Sequence, residues 1–359
     1  MPSPTTSLPA VSLPPEPGPG GITLAAFTPD DDTTALELER ACFQGVSVRM
    51  VFRRDRFALR AERFAVHRIL TARHSGRLVG VAAAAIKEVE YLGKPSRAAF
   101  FFDFRISPEH RGFGIGRRLA GALLEWSTPL SDLAYTYAVE GNGAAERIGD
   151  LFGTRAGGYV YLVYPCLRSG RREANLTAAH AAEVHAAARE RCGPFDFYAN
   201  PFVEGRTGWH VGSWLLRGPS GLSGCSASSA RGVLEEVVVA LPPSLRAVRA
   251  LQAAGLIGRS WPRLPETGEA LRSWYLFDFF APDGATARSL LRAVAAEARA
   301  RGVDWVYLPH AAGDSRVLHV RADVPRVLAP ILGYGLFIRH NDFSRPTPVR
   351  RLYVDVRDL

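Results

Sequence analysis

The chain has 359 residues, enough for two domains that each bury a core. With 47% apolar residues and no apolar run long enough to span a bilayer, the composition is that of a globular protein with no membrane partner. The net charge of +9 comes almost wholly from arginine, since Lys87 and Lys94 are the only lysines, and the arginine pairs at 53–54, 117–118, 171–172 and 350–351 are scattered along the chain. Charge spread in this way argues against a nucleic-acid partner, which usually meets one concentrated basic face or tail. Cys42, Cys166, Cys192 and Cys225 show no CxxC spacing, and His180 and His185 stand five apart, so neither a metal site nor a disulfide framework is expected. A reducing, cytoplasmic setting suits them.

Residues 1–21 carry seven prolines and lack a basic-then-apolar pattern, so they read as a disordered or extended lead and not a signal peptide. Ile22–Phe27 is a first strand and Thr33–Phe43 a helix. His67–Ala72 and Leu78–Val89 form an antiparallel pair around the turn at residues 74–77. A very apolar strand, Ala99–Ile106, follows and leads through Ser107-Pro108-Glu109-His110 into Arg111-Gly112-Phe113-Gly114-Ile115-Gly116-Arg117. A helix opens there and runs to about Trp126, with Ile115, Leu119, Ala122, Leu123 and Trp126 on one stripe. Leu133–Val139 is a strand, a helix lies around Ala144–Phe152, and Tyr159–Val163 closes the half.

The glycine segment is the chemical centre of the sequence. Three glycines in five residues let backbone N–H groups converge on one anion, and the helix behind adds its dipole. A dinucleotide fingerprint needs glycines directly after the strand and an acid about 20 residues on. Here a four-residue turn intervenes, and Glu140 comes 28 residues after Gly112. A P-loop needs Gly-Lys-Ser/Thr, which is absent. The remaining pattern, Ile106-x-Pro108 followed by Arg111-x-x-Gly114-x-Gly116, resembles the acyl-CoA signature of the GNAT superfamily of N-acetyltransferases.

The second half repeats part of the first. Phe101-Phe102-Asp103-Phe104 recurs as Leu276-Phe277-Asp278-Phe279, followed by a loop, a helix striped by Ala287, Leu290, Leu291, Val294 and Ala298, and the strand Val303–Leu308. Its loop, residues 281–285, is shorter and lacks the arginine–glycine pattern. The expected fold is therefore α/β with a mixed sheet: a tandem GNAT fold whose N-terminal domain (22–168) keeps the acyl-CoA loop and whose C-terminal domain (174–359) is a degenerate copy. Leu162–Asn175 is the expected junction, and Gly218–Ser229 reads as a mobile loop.

A narrower resemblance covers most of 22–359. Phe104–Trp126, Ala138-Val139-Glu140-Gly141-Asn142, Leu151-Phe152, Gly158-Tyr159 and the closing residues 352–359 are similar to the plant Hookless proteins, which are probable N-acetyltransferases. The resemblance implies acetyl-CoA as donor, with no metal, and an amine-bearing small molecule or protein as acceptor. The wider GNAT resemblance implies donor contacts at Phe104, Ile106, the segment Arg111–Arg117 and Asn142, with an oxyanion donor among the backbone N–H groups near Ile106.

Two acids compete for the base. Asp103 lies among aromatics, where burial would raise its pKa, but its recurrence as Asp278 argues for a structural role; Glu140 ends the strand beside the loop as a base or amine anchor, or else a solvated loop acid. Glu88 and Glu90 alternate onto one face and are candidate anchors for a cationic acceptor. Where many superfamily members carry a tyrosine to protonate the departing thiolate, this chain has Phe152; Tyr137, Tyr159 and Tyr161 are substitutes. An aromatic turn, Phe195–Phe202, either covers an acceptor pocket between the domains or plugs their interface. A non-catalytic acyl-CoA-binding regulatory module is the alternative to an N-acetyltransferase.

Overall fold

The computed structural model describes residues 21–45, 48–167, 175–193, 195–199, 209–257, 261–311, 320, 324, 330–342, 348–349, 352–355 and 358. The proline-rich lead before Gly21, the arginine pairs at 171–172 and 350–351, and much of the expected junction lie outside the described residues.

The first half runs β1 (Ile22–Ala26), α1 (Asp32–Ala41), β2 (Arg49–Arg53), β3 (Val66–His74), β4 (Arg77–Tyr91), β5 (Lys94–Ile106), α2 (Ile115–Ser127), β6 (Leu133–Val139), α3 (Gly143–Phe152) and β7 (Thr154–Pro165). The second continues with β8 (Leu176–Ala178), α4 (Ala181–Cys192), β9 (His210–Gly218), β10 (Gly221–Ser228), β11 (Glu235–Ala240), α5 (Pro243–Ala253), β12 (Ser273–Phe280), α6 (Gly284–Ala300), β13 (Trp305–Ala311) and β14 (Ile331–His340).

Twelve strands form one sheet in the order β1-β3-β4-β5-β6-β14-β7-β13-β12-β10-β9-β8. The two halves approach its centre by matching routes. In the first, β3/β4 and β4/β5 are antiparallel, and β5 runs parallel to β6 across the crossover helix α2. In the second, β9/β10 and β10/β12 are antiparallel, and β12 runs parallel to β13 across α6. The closing strands are interleaved: β14 pairs with both β6 and β7, while β7 also pairs with β13. One continuous sheet thus joins residues on either side of the expected domain division.

Sequence pattern explains these elements. Strand β4, rich in Val and Ala, is buried on both faces from Leu78 to Lys87, as a central strand must be. Helix α2 buries Ile115, Leu119, Leu123 and Trp126 against the sheet, and α6 buries Leu290, Leu291, Val294 and Ala298. Helix α6 begins at Asp283, whose carboxylate accepts from the Thr286 N–H at 2.7 Å.

Gly218–Ser229, expected as a mobile loop, is instead largely the buried strand β10. Its small residues serve packing: a Cβ at Gly224 would stand 2.8 Å from Leu215 Cδ2 and 2.9 Å from the Phe280 ring. A two-stranded ribbon, β2 with β11, ties the halves together a second time.

Both halves share a backbone irregularity. On β5, Asp103 and Phe104 together oppose Ala82, and Asp103 has φ +55°. On β12, Asp278 and Phe279 oppose Cys225 in the same way, and Asp278 has φ +51°. Each is a β-bulge that bends its strand, and aspartate is among the few non-glycine residues that enter this region readily.

Candidate active site

The site begins where the sheet opens. Strands β5 and β6 pair only from Ala98↔Leu133 to Phe101↔Thr136. Beyond that, β5 stays with β4 as far as Ile106, and β6 stays with β14 as far as Val139. The bulge at Asp103 falls where the two strands part, and the gap between them is the cleft.

At the mouth of the cleft lies the glycine loop. Gly112 (φ +90°) and Gly114 (φ +74°) are left-handed, and nothing lies within 4 Å of where either Cβ would sit. Gly114 is also the N-cap of α2. Gly116 serves packing instead, because a Cβ there would come 2.7 Å from Ile148 Cδ1; its absence lets α2 lie close on α3. Phe104, Ile106, Arg111, Gly112, Gly114, Ile115, Gly116, Arg117 and Asn142 all line a cavity of about 1030 Å³.

Phe113 does not line the cavity; its side chain is exposed and its ring sits 5.9 Å from that of His110. The Asn142 side chain is engaged in capping α3, accepting from the Ala145 N–H at 3.2 Å. Arg147 on α3 adds a third guanidinium to the mouth. Among the described residues, no carboxylate is ion-paired with Arg111, Arg117 or Arg147, so their charge is available to an anion. The N-termini of α2 and α3 reinforce that preference.

The two expected acids fall in different surroundings. Asp103 does not line the cavity. Its carboxylate is buried against Arg54 (2.9 Å) and Arg60 (2.7 Å), and Arg54 also holds Glu39 at 2.6 Å. Burial alone would raise its pKa, but the adjacent guanidinium groups reverse this and hold it well below the usual carboxylate range. Such a group is a poor proton acceptor and a strong structural anion.

Glu140 ends β6 and faces the cavity, half-exposed and paired with Arg155. Its N–H donates to the Gly333 carbonyl at 2.9 Å, and a side chain at Gly333 would collide with its carboxylate. Neither Glu88 nor Glu90 reaches the cavity, and Glu90 pairs with Arg189 at 2.6 Å. Beside them, Lys87 turns inward and binds Asp355 (2.7 Å) and Asp358 (2.5 Å).

Deeper in, the cavity is walled by tyrosines. Tyr137, Tyr159, Tyr161, Tyr275, Tyr307 and Tyr334 line it, with ring centroids 4.8–6.2 Å apart between neighbours. The Tyr137 hydroxyl is buried without a hydrogen-bond partner among the described residues, and burial pushes its pKa well up, so it stays protonated. Phe152 is fully buried in the apolar core, 4.4 Å from Phe101 and 5.7 Å from Phe104; its neighbour Leu151 faces the cavity instead.

Of the turn at Phe195–Phe202, residues 200–202 lie outside the described residues. Phe197 is a plug, packed between Tyr91 (5.3 Å) and Tyr135 (4.6 Å) and absent from the cavity wall. Sequence reasoning missed Glu236, Asp358, Tyr275, Tyr307 and Tyr334 as cavity residues. Strand alternation in residues 234–239 would have put Glu236 and Val238 on one face, but not what that face meets.

Residues 33–147 match the model of the acetyltransferase (GNAT) family. In fold, the chain is similar to a crystal structure of Saccharomyces cerevisiae N-myristoyltransferase with bound myristoyl-CoA, at 11% identity over 94% of this chain and 82% of that one (TM-score 0.56). A second, with inhibitors as well, has 11% identity over 95% and 89% of the two chains (TM-score 0.54). A GCN5-related N-acetyltransferase from Kribbella flavida has 14% identity over 89% and 71% (TM-score 0.45). No curated protein sequence matches the chain. The family match and the likeness to the N-myristoyltransferase structures give a mixed α/β GNAT N-acyltransferase fold, and the matched segment contains the glycine loop. Among the described residues, no cluster of His, Cys, Asp or Glu could hold a metal ion, and no helix is long and apolar enough to cross a membrane.

Proposed function

We propose that the protein is an acyl-CoA-dependent N-acyltransferase that moves an acetyl group from acetyl-CoA to an amine. The observation that carries this reading is the cleft between β5 and β6, which leads from a mouth of open glycines and unspent guanidinium groups to a tyrosine-walled chamber. The pyrophosphate fits the N–H groups of Arg111–Arg117 at the start of α2. The pantetheine arm follows the backbone of β5 at Phe104 and Ile106, and an N–H near Ile106 meets the developing oxyanion.

In the transfer, the neutral amine nitrogen attacks the thioester carbonyl. The C–N bond forms, the C–S bond breaks, and CoA leaves as a thiolate. The proton lost by the amine passes to Glu140, and the Tyr137 hydroxyl, which burial keeps protonated, is placed to hydrogen-bond the departing thiolate. The thiolate is also a tolerable leaving group unaided, since a thiol has a pKa of about 8.5. Asp103, committed to Arg54 and Arg60, is assigned to holding the bulge.

On this reading, residues 22–168 form the donor-binding domain and 174–359 a degenerate partner without a second donor site. The resemblance to the Hookless proteins leaves the acceptor unnamed: a metabolite, a drug-like amine or a protein. All four cysteines are free, as a cytoplasmic protein would keep them. The test is acceptor-dependent release of CoA from acetyl-CoA by pure protein across a panel of amines. Release with at least one amine supports an enzyme. Tight acetyl-CoA binding with no release from any amine supports a non-catalytic regulatory module.

A further inference from the structure

The roof of the chamber is the ribbon β2/β11, in which Glu236 pairs with Phe52 and Val238 with Met50. These four side chains line the cavity. The inner face of the ribbon is therefore apolar except for one carboxylate. Across from it stand Tyr161, Tyr275, Tyr307 and Tyr334, and the Tyr307 hydroxyl donates to Glu236 Oε2 at 3.2 Å. Leu234, Leu245, Leu264, Leu271 and Trp305 complete an apolar surround.

Other shielded acids in this molecule have cations. Asp103 has Arg54 and Arg60, Asp304 has Arg272 and Arg299, and Asp358 has Lys87. Glu236 is different: among the described residues no Lys, Arg or His pairs with it, and its burial pushes the carboxyl pKa up. A carboxylate held among aromatic rings without a counter-ion is costly to the fold. The Tyr275 and Tyr307 hydroxyls that hydrogen-bond it supply donors but no positive charge, which leaves a cation as its missing partner.

We propose that this chamber is the acceptor site, and that it takes an amine with an apolar body whose ammonium group sits between Glu236 and the tyrosine rings. The proposal deepens the acyltransferase reading and rests on it for the word acceptor, but the binding it describes is independent of acyl transfer. Neutral ligands leave the carboxylate as unpaired as before, so affinity should follow the positive charge.

The experiment uses the full chain without acyl-CoA. Hexylamine, 2-phenylethylamine and tryptamine are titrated by calorimetry beside the neutral alcohols hexanol, 2-phenylethanol and tryptophol. At least one amine is expected to bind about tenfold or more tightly than its alcohol. Glu236→Gln should reduce that amine to the level of its alcohol while acetyl-CoA affinity stays within about twofold. Its melting temperature should equal or exceed that of the wild type, because the substitution removes an unpaired shielded charge. No preference for any of the three amines overturns the proposal, and so does a preference that survives in a folded Glu236→Gln protein. The wild-type comparison needs no variant, so a misfolded mutant does not blunt it. Amine binding together with no CoA release from any amine of the panel refutes the enzyme and leaves the chamber assignment standing. CoA release with no charge preference does the reverse.

Discussion

Replacing Gly114 by valine isolates the donor loop from the rest of the fold. Gly114 has φ +74°, a region that costs an L-residue roughly 1–2 kcal/mol, and more when it is β-branched. No atom lies within 4 Å of the new Cβ, so there is no clash with the protein to add. Against a typical stability of about 5–15 kcal/mol, the variant stays folded. The side chain instead occupies the open mouth where the pyrophosphate would rest. Loss of two charge-assisted N–H contacts at about 1.5–3 kcal/mol each is roughly 3–6 kcal/mol, or about 10²–10⁴-fold in Kd. Calorimetric titration with acetyl-CoA measures this, with circular dichroism and thermal melting as the check on folding. Gly114→Ala separates the two effects, since it carries the backbone cost with a much smaller side chain. A folded Gly114→Val protein with wild-type affinity would refute the reasoning and leave the loop a structural turn.

Four further outcomes are expected. Glu140→Gln should lower kcat by about 10²–10⁴-fold with little change in acetyl-CoA affinity, and a normal kcat removes Glu140 from the mechanism. Asp103→Asn should destabilise the protein by about 3–5 kcal/mol at neutral pH by breaking a buried ion network. Because the folded state depresses the Asp103 pKa, its contribution is complete above the unfolded value of about 3.9 and is lost as the pH falls below it. The Tm gap between wild type and variant should therefore narrow in acid, and a gap that stays constant down to strong acid contradicts the assignment. Acetyl-CoA should bind with one site per chain, because the loop after β12 turns its one carboxylate, Asp283, onto the Thr286 N–H and does not line the cavity; two equivalent sites in calorimetry would contradict this. Phe152→Tyr should cost roughly 1–3 kcal/mol in a chemical denaturation series and leave kcat unimproved, since the new hydroxyl enters an apolar core. A rise in kcat would place that ring in the cleft after all.

What the sequence could reveal followed from local patterns. The 3.6-residue stripe of α2, the antiparallel pairing of β3 with β4 around the turn at residues 74–77, and the limits Leu133–Val139 of β6 are consequences of neighbouring residues, and the structure reproduces them. The glycine loop was legible for the same reason, because its chemistry lies within seven residues. Strands β2, β11 and β14 were not. Each is defined by partners far along the chain: β14 fits between β6 and β7, and β11 meets β2. The loop-like composition of β10 misled because small residues mark turns and tight packing alike. Of the acids, Asp103 had two readings in sequence, a base among aromatics or a structural anion that recurs as Asp278, and its neighbours in space, Arg54 and Arg60, which come from a segment more than forty residues earlier, were not visible there. Glu236 carried no signal of its own, because its significance comes from tyrosines on β12 and β13.

The two aspartates at the bulges show how one backbone device serves two halves differently. Asp103 and Asp278 have nearly the same left-handed φ and the same two-against-one register. Their carboxylates, however, are held by unlike partners: arginines in the first half, and His185 (2.8 Å) with the Tyr353 hydroxyl (3.0 Å) in the second. The shared element is the bend. Beside β5 that bend opens onto a loop of left-handed glycines and guanidinium charge; beside β12 it is followed by a helix that caps itself. The second half brings Glu236, Tyr275 and Tyr307 to the cavity, and the first brings the glycine loop. The wall between those contributions is made of β7, which pairs with β13 and β14 of the second half, and β14, which pairs with β6 and β7 of the first. Neither half encloses the cavity alone. A change that loosens the interleaved strands should therefore disturb the donor mouth and the tyrosine chamber together, even though no residue of the exchange touches a phosphate.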